Sequence, residues 1–256
     1  MMNRLNGKVC IITGGNSGVG EATAKLFASE GATVVISARR VEALERVKNE
    51  IEANGGKVLA VPTDISKVED ANNLVEETIK HFGKIDCLVN NAGILDTGLK
   101  AMDKFLDSDL DKVVEINEKG HMYMMRAALK YMDEAKSGSI VNVASVAGHT
   151  GGGGACYVAS KAAIIGVTKH TAMRFATSNI RCNVVCPGSI ITPMTTNLDM
   201  SSSDMDMFGA MSKHADIRSL KPCSADDVAK VLLFLASDDS KPITGQTIVC
   251  DYGVNL

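Results

Sequence analysis

Residues 157 to 161 read Tyr-Val-Ala-Ser-Lys, so in a helix a phenol and an ammonium stand one turn apart on a single face. A phenol beside a positive charge is a group that can give or take a proton near neutral pH. Moving a tyrosine from its reference pKa of ~10 to ~7 takes about 4 kcal/mol. One unit charge ~4 Å away, at an effective dielectric of ~20, supplies about that much. Lys161 is therefore expected to lower the Tyr157 pKa, leaving Tyr157 to exchange a proton with a substrate oxygen. A tyrosine and a lysine at this spacing are common in helices, so the pair gains meaning only from what surrounds it.

A second set of residues suits a dinucleotide. The apolar run at 8 to 13 leads into Thr13-Gly14-Gly15-Asn16-Ser17-Gly18-Val19-Gly20 and then a helical pattern. In that context Gly14 permits a tight turn, Gly18 lets backbone approach a pyrophosphate, and Gly20 brings helix close to sheet. The helix N-terminus then faces the phosphates. An NAD site of this kind carries an acidic residue ~20 positions further on. This chain has Ser37-Ala38-Arg39-Arg40 there, with no carboxylate and two guanidinium groups that suit a 2′-phosphate. NADP(H) is the expected cofactor. Asp64-Ile65 follows the third strand, either to cap the adenine or simply to make a turn.

The elements that must hold these groups are legible from periodicity. Seven short apolar runs, at 8–13, 33–37, 57–62, 85–90, 139–145, 180–187 and 246–250, read as strands. They are nearly all apolar and do not alternate, which fits a parallel sheet buried on both faces. Helical patterns at 19–30, 41–54, 67–82, 104–136, 155–177 and 225–236 supply right-handed crossovers. The expected fold is α/β, a Rossmann-like doubly wound sheet of seven mainly parallel strands with helices on both faces. Residues 1 to 256 form one dinucleotide-binding and catalytic domain, interrupted only by a polar, methionine-rich segment at 193–223. A long excursion of this kind is expected to be a substrate lid.

Composition excludes other classes. The chain carries 27 basic and 30 acidic residues, a net charge of −3, with no run of like charge to attract nucleic acid or an anionic membrane. The seven cysteines are scattered through apolar runs and read as reduced core thiols. Cys182 and Cys186, the nearest pair, would lie roughly 13 Å apart along a strand, too far for one metal or one disulfide. The five histidines form no metal signature, so no metal is expected. The apolar start is too short for a signal peptide, and no stretch approaches the ~20 apolar residues of a membrane span. A cytoplasmic location is expected.

Several separate motifs now point one way: Thr13 to Gly20, Asn90-Asn91-Ala92-Gly93, Asn117 in Ile-Asn-Glu-Lys-Gly, Ser145 in Val-Ala-Ser-Val-Ala-Gly, Tyr157 with Lys161, and Pro187-Gly188 with Thr192. Over essentially its whole length the chain resembles the short-chain dehydrogenase/reductase family. The resemblance implies a nicotinamide-dependent oxidoreductase with Asn117, Ser145, Tyr157 and Lys161 as catalytic residues. Ser145 would orient the substrate oxygen, Lys161 would also bond the nicotinamide ribose, and Asn117 would extend a proton relay through a water. Cofactor contacts would come from Gly14, Asn16, Ser17, Gly18, Val19, Gly20, Arg39, Arg40, Asp64, Ile65, Asn91, Ala92, Gly93, Tyr157, Lys161, Pro187, Gly188, Ile190 and Thr192. A homotetramer is implied, and the apolar stretches 121–129 and 162–167 would be covered by it.

Three departures stand out. The interval from Ser145 to Tyr157 is one residue shorter than is common in the family and contains Gly151 to Gly154, which leave one wall of the site free of side chains. The family's Asp-Gly-Gly near the C-terminus stands as Asp251-Tyr252-Gly253, so Tyr252 would alter a subunit contact or the rim of the site. Cys156, directly before the tyrosine, is either a redox-sensitive position or an ordinary apolar contact. The lid methionines favour an apolar alcohol or ketone such as a hydroxysteroid or bile acid. A 3-oxoacyl carrier-protein reductase is the alternative, weakened because Lys136 and Ser178 stand where such reductases carry arginines to dock an acidic carrier. A non-catalytic NADP-binding regulator is the remote third reading, disfavoured by the presence of all four catalytic residues.

Overall fold

The computed structural model describes residues 3–198, 200–214 and 221–255. All seven expected strands form: β1 (Val9–Thr13), β2 (Thr33–Ala38), β3 (Lys57–Pro62), β4 (Cys87–Asn90), β5 (Gly138–Val143), β6 (Ile180–Pro187) and β7 (Thr247–Cys250). They pair in the order β3-β2-β1-β4-β5-β6-β7, every pair parallel. The strands read as continuous apolar runs because successive residues bury into opposite layers. Cys10, Ile12, Val34 and Ile36 face α1 (Gly18–Ser29), α2 (Val41–Ala53) and α10 (Ala225–Ala236). Val9, Ile11 and Val35 face α3 (Val68–Phe82) and α5 (Gly120–Ala135). Ile164 of α7 (Ala155–Phe175) packs on Val184 of β6. Each fully buried aliphatic side chain of this kind contributes roughly 1.5–3 kcal/mol.

The chain builds outward from β1 to β3 and then returns to place β4 against the other side of β1. That reversal opens a crevice beyond the carboxyl ends of β1 and β4, where α/β sheets take their ligands.

Some elements differ from expectation. The pattern at 104–136 is not one helix. It divides into α4 (Asp107–Val113), a π-helical turn (Val114–Lys119) and α5, with residues 104–106 outside any helix. Strand β5 ends at Val143, so Ser145 lies in the loop between β5 and α6 (Ala147–Thr150). The segment at 193–223 holds helices of its own, α8 (Pro193–Thr196) and α9 (Met205–His214). Residues 199 and 215–220 of that segment lie outside the described residues, as do residues 1, 2 and 256 of the expected domain.

Candidate active site

The loop after β1 turns at Gly14, which holds a positive φ of 68°, and again at Gly18, at 55°. A Cβ on Gly20 would lie 2.1 Å from the Gly14 carbonyl oxygen, so only glycine lets α1 start this close to β1. Thr13 ties the loop to the next strand. Its hydroxyl accepts from the backbone amides of Asn91 and Ala92 at 3.0 and 3.1 Å, while Asn91 Nδ2 donates to the Thr13 carbonyl at 3.0 Å.

A cavity of about 1180 Å³ runs from this loop to the segment at 193–223. Of the residues expected to hold a cofactor, every one lines it except Gly20, whose role is the close packing just described. The residues fit a dinucleotide. Gly18 leaves room beside Thr192, where a Cβ would come within 3.3 Å of Cγ2. Arg39 and Arg40 both line the end of the crevice at β2. Arg40 is partly committed, since with the Asn16 amide turned to satisfy both groups its oxygen accepts from Arg40 Nη2 and Nε at 3.1 and 3.2 Å. Asp64 lines the cavity and also makes a turn, its Oδ1 accepting from Ser66 N and Oγ at 3.2 and 2.7 Å.

Ser145, Tyr157 and Lys161 come together at the inner end of this cavity. The Ser145 hydroxyl bonds the Tyr157 phenol and also accepts from Ala147 N at 3.1 Å. Lys161 is buried, donates to the Val143 carbonyl at 3.0 Å, and sits 5.5 Å from the centre of the Tyr157 ring. Asn117 lies behind them and does not line the cavity. The π-turn aims its amide at the backbone of Ile94: Oδ1 accepts from the amide at 2.8 Å and Nδ2 donates to the carbonyl at 2.9 Å. Nδ2 also donates to Ser160 Oγ, which donates in turn to the Tyr157 carbonyl. A Cβ on Gly93 would fall between Asn117 Oδ1 and Lys161 Nζ, at 3.2 and 3.4 Å. Glycine there keeps the space between amide and ammonium open.

The electrostatics correct one expectation. Burial pushes the Tyr157 phenol up to about 12, against the lowering hydrogen bond from Ser145, and the charge of Asp96 adds to the rise. Burial likewise brings Lys161 down to about 8. The sequence reading placed the ammonium ~4 Å from the phenolic oxygen in a medium of moderate dielectric. Here Lys161 is turned to the Val143 carbonyl over the ring face, and desolvation of both groups outweighs their attraction.

Other expectations are refined. Cys156 is buried, its thiol pushed up by desolvation, and reads as a packing residue. All seven cysteines are free thiols. Lys136 and Ser178 precede β5 and β6, at the amino ends of the strands and therefore opposite the crevice. Neither lines the cavity, and Lys136 pairs with Asp133 at 2.8 Å, so the expected link between these positions and the mouth does not hold within one chain. Tyr252 points outward, its hydroxyl donating to Asp227 at 3.1 Å and its ring under the Lys221 ammonium. Met194, Met207, Phe208 and Met211 do line the cavity, whereas Met205 is exposed; the Met200 side chain lies outside the described residues.

Sequence reasoning missed several residues around the site. His121 is buried and bonds the Ala92 carbonyl through Nε2 at 2.7 Å. Asp96 accepts from the backbone amide of Tyr157 at 3.2 Å. Arg46 joins Glu21, Glu50 and the Asn16 carbonyl, fastening α2 to the glycine loop. His121 and Asp96 carry no spacing signal, because each acts across the fold; Arg46 and Glu50 stand four apart on α2, the one local signal among these contacts. Among the described residues no group of three or more His, Cys, Asp or Glu could hold a metal, and no helix is long and apolar enough to cross a membrane.

A dinucleotide crevice ending at a serine, a phenol and an ammonium suits hydride exchange at a carbonyl or alcohol, which is the work of an oxidoreductase. Known proteins agree. The short chain dehydrogenase model matches residues 8–202. A 3-oxoacyl-[acyl-carrier-protein] reductase of Thermotoga maritima is 42% identical over 252 residues, covering 98% of this chain and 99% of that one. A 7alpha-hydroxysteroid dehydrogenase of Bacteroides fragilis is 36% identical over 263 aligned positions, covering 100% of this chain and 97% of that one. The solved structure of a 3-ketoacyl-(acyl-carrier-protein) reductase from Brucella melitensis, complexed with NADH, matches with a TM-score of 0.87 at 34% identity, covering 98% of this chain and 100% of that one. The chain belongs to the short-chain dehydrogenase family, oxidoreductases that use a nicotinamide cofactor on alcohol and ketone groups.

Proposed function

We propose that the protein is an NADP(H)-dependent oxidoreductase interconverting a secondary alcohol and a ketone on an apolar substrate such as a hydroxysteroid or bile acid. The observation that carries this reading is the lining of one cavity by Met194, Met207, Phe208 and Met211 together with Gly151 to Gly153. Flexible thioethers and a stretch of wall without side chains suit a broad, rigid, apolar body. The segment 193–223 acts as its lid within one domain. When bound, the nicotinamide supplies or accepts the hydride. Gly14 to Val19 hold the pyrophosphate, Arg39 and Arg40 the 2′-phosphate, and Asn91 to Gly93 and Pro187 to Thr192 the nicotinamide half.

The chain's own residues handle the proton. Ser145 donates to the substrate oxygen and orients it. In reduction Tyr157, protonated at neutral pH given its raised pKa, donates its proton to that oxygen. Lys161 keeps a positive charge beside the developing oxyanion, and Asn117 holds the wall from which a proton is resupplied. The functional unit is a homotetramer with a small-molecule substrate.

The 42% identity to the Thermotoga maritima reductase favours a second reading, a 3-oxoacyl carrier-protein reductase. The NADH in the Brucella melitensis structure belongs to that protein, but it makes cofactor choice a point to test directly. A panel of oxo-steroids, oxo-bile acids, 3-oxoacyl thioesters and simple aldehydes, each with NADPH and NADH, separates the readings. We expect oxo-steroids or oxo-bile acids to lead, NADPH to be preferred, and Arg39→Ala to cut that preference by about ten- to a hundredfold, as loss of a charged hydrogen bond would. Preference for a thioester installs the second reading. No turnover of any carbonyl, or turnover that survives Tyr157→Phe, removes the proposed mechanism.

A further inference from the structure

The helix that carries Tyr157 and Lys161 begins without a cap of its own. Its N-cap is Gly154, which has no side chain to accept from the first free amides of α7. The cap comes instead from the segment after Gly93. The Lys100 carbonyl accepts from Ala155 N at 2.9 Å, and Asp96 Oδ2 accepts from Tyr157 N at 3.2 Å. Tyr157 occupies the third position of the helix, one of the two whose amide an N-cap side chain ordinarily takes. A Cβ on Gly154 would lie 2.3 Å from both Asp96 carboxylate oxygens, so the carboxylate fills the space that a local capping side chain would need.

We propose that Asp96 is a positioning residue: a cap supplied from outside the catalytic helix, which fixes where that helix begins and sets how readily Tyr157 gives up its proton. The carboxylate is 5% exposed and stands in the cavity wall, with Oδ1 lacking a hydrogen-bond partner among the described residues. A charge so shielded from water acts over a longer range than one at the surface. The groups facing the phenol are Ser145, the Lys161 ammonium over the ring, the Cys186 thiol and Asp96. Those facing Asp96 are the amides of Cys156 and Tyr157 and the Asp109 carboxylate. Asp96 and Asp109 are thus the negative charges of this group, and Asp96 alone touches the residue that moves the proton. Its charge opposes ionisation of the phenol. It therefore favours the protonated form that reduction consumes.

This inference rests on the proposed role of Tyr157, so its test has one arm that needs no substrate. In that arm, hydrogen exchange is followed at the amides of residues 155 to 158 in wild type, Asp96→Asn and Asp96→Ala. The asparagine keeps an acceptor and removes the charge; the alanine removes both. We expect tenfold or greater loss of protection at Tyr157 in Asp96→Ala and near wild-type protection in Asp96→Asn. The second arm follows kcat for alcohol oxidation against pH, with whichever substrate the panel identifies. Asp96→Asn is expected to move the midpoint of the rise of kcat with pH downward by about one pH unit with cofactor KM unchanged, because oxidation needs the phenolate and a charge opposing it is gone. Asp96→Ala is expected to lose about tenfold or more in kcat. Unchanged protection in Asp96→Ala overturns the capping role, and a superimposable pH profile in Asp96→Asn overturns the electrostatic one. Should Asp96→Ala fail to fold, the Asp96→Asn profile still decides the electrostatic role.

Discussion

His121 occupies a fully buried position, yet its Nε2 holds the carbonyl of Ala92, which lines the cavity. A carbonyl only accepts, so Nε2 carries a proton. Burial and the nearby Lys161 ammonium hold its pKa down at about 3. The unfolded chain binds a proton there below ~6.5, while the folded chain resists it until about pH 3. Stability from this group is therefore present above ~6.5 and is lost progressively as pH falls toward 3, at up to about 1.4 kcal/mol per pH unit. Urea unfolding between pH 4 and 7 should show His121→Asn losing less stability on acidification than wild type; parallel curves would exclude His121 as the acid-sensitive group. At this scale the sequence revealed which residues meet but not their energies. Tyr157 and Lys161 were legible as a pair because helical spacing is local. The sign of the phenol's shift was not, because it depends on burial and on Asp96, 61 residues away in the chain.

Elements were legible where their period is regular. The strands were found because each is mostly apolar and does not alternate, and α1, α2, α3, α7 and α10 because apolar residues recur every three to four positions. A π-turn adds one residue to a turn without changing composition, so the run from 104 to 136 read as one helix although Asn117 sits in a π-helical turn. The proposed lid at 193–223 was recognisable only as a departure from pattern. Its anchor is Asp204 at the start of α9, whose carboxylate accepts from Ala101 N at 3.2 Å, Met207 N at 3.3 Å and the Lys104 ammonium at 3.1 Å. Its own amide donates to the Gly98 carbonyl at 2.9 Å. The segment from Asp96 to Lys104 thus grips α7 at one end and the start of α9 at the other. Removing such a cap costs ~1 kcal/mol. Asp204→Ala should raise KM for the apolar substrate about fivefold while cofactor KM stays within twofold. Steady-state kinetics showing equal changes in both would mean that Asp204 supports the whole cavity and does not specifically hold the lid.

At the scale of the molecule, the sheet's parallel character followed from strands too apolar to face water on either side, and the crevice followed from the sheet order. What one chain leaves uncovered is equally informative. Between α5 and α7 runs a groove of about 540 Å³ lined by Met122, Met125, Leu129, Val167 and Phe175, bordered by Arg126, Lys130, His170 and Arg174. Met122 is 44% exposed and Met173, on the same helix as Val167, is 75% exposed. Met122, Met125, Leu129 and Val167 fall in the stretches 121–129 and 162–167 expected to be apolar on more than one face, and none of the described residues of 193–223 lines the groove. An apolar surface of this kind rimmed by charge is the usual mark of a protein contact. The groove holds three cations, Arg126, Lys130 and Arg174, beside Asp133 and Glu134, so a symmetric pairing with a second copy can match opposite charges. Light scattering at micromolar concentration should give four times the chain mass for wild type. Met122→Glu should dissociate the assembly while leaving the circular dichroism spectrum unchanged, because this side chain faces out of the core. A wild-type protein that scatters as a monomer would mean that the groove is simply surface, and that the site between Ser145 and Lys161 needs no neighbour to hold its shape.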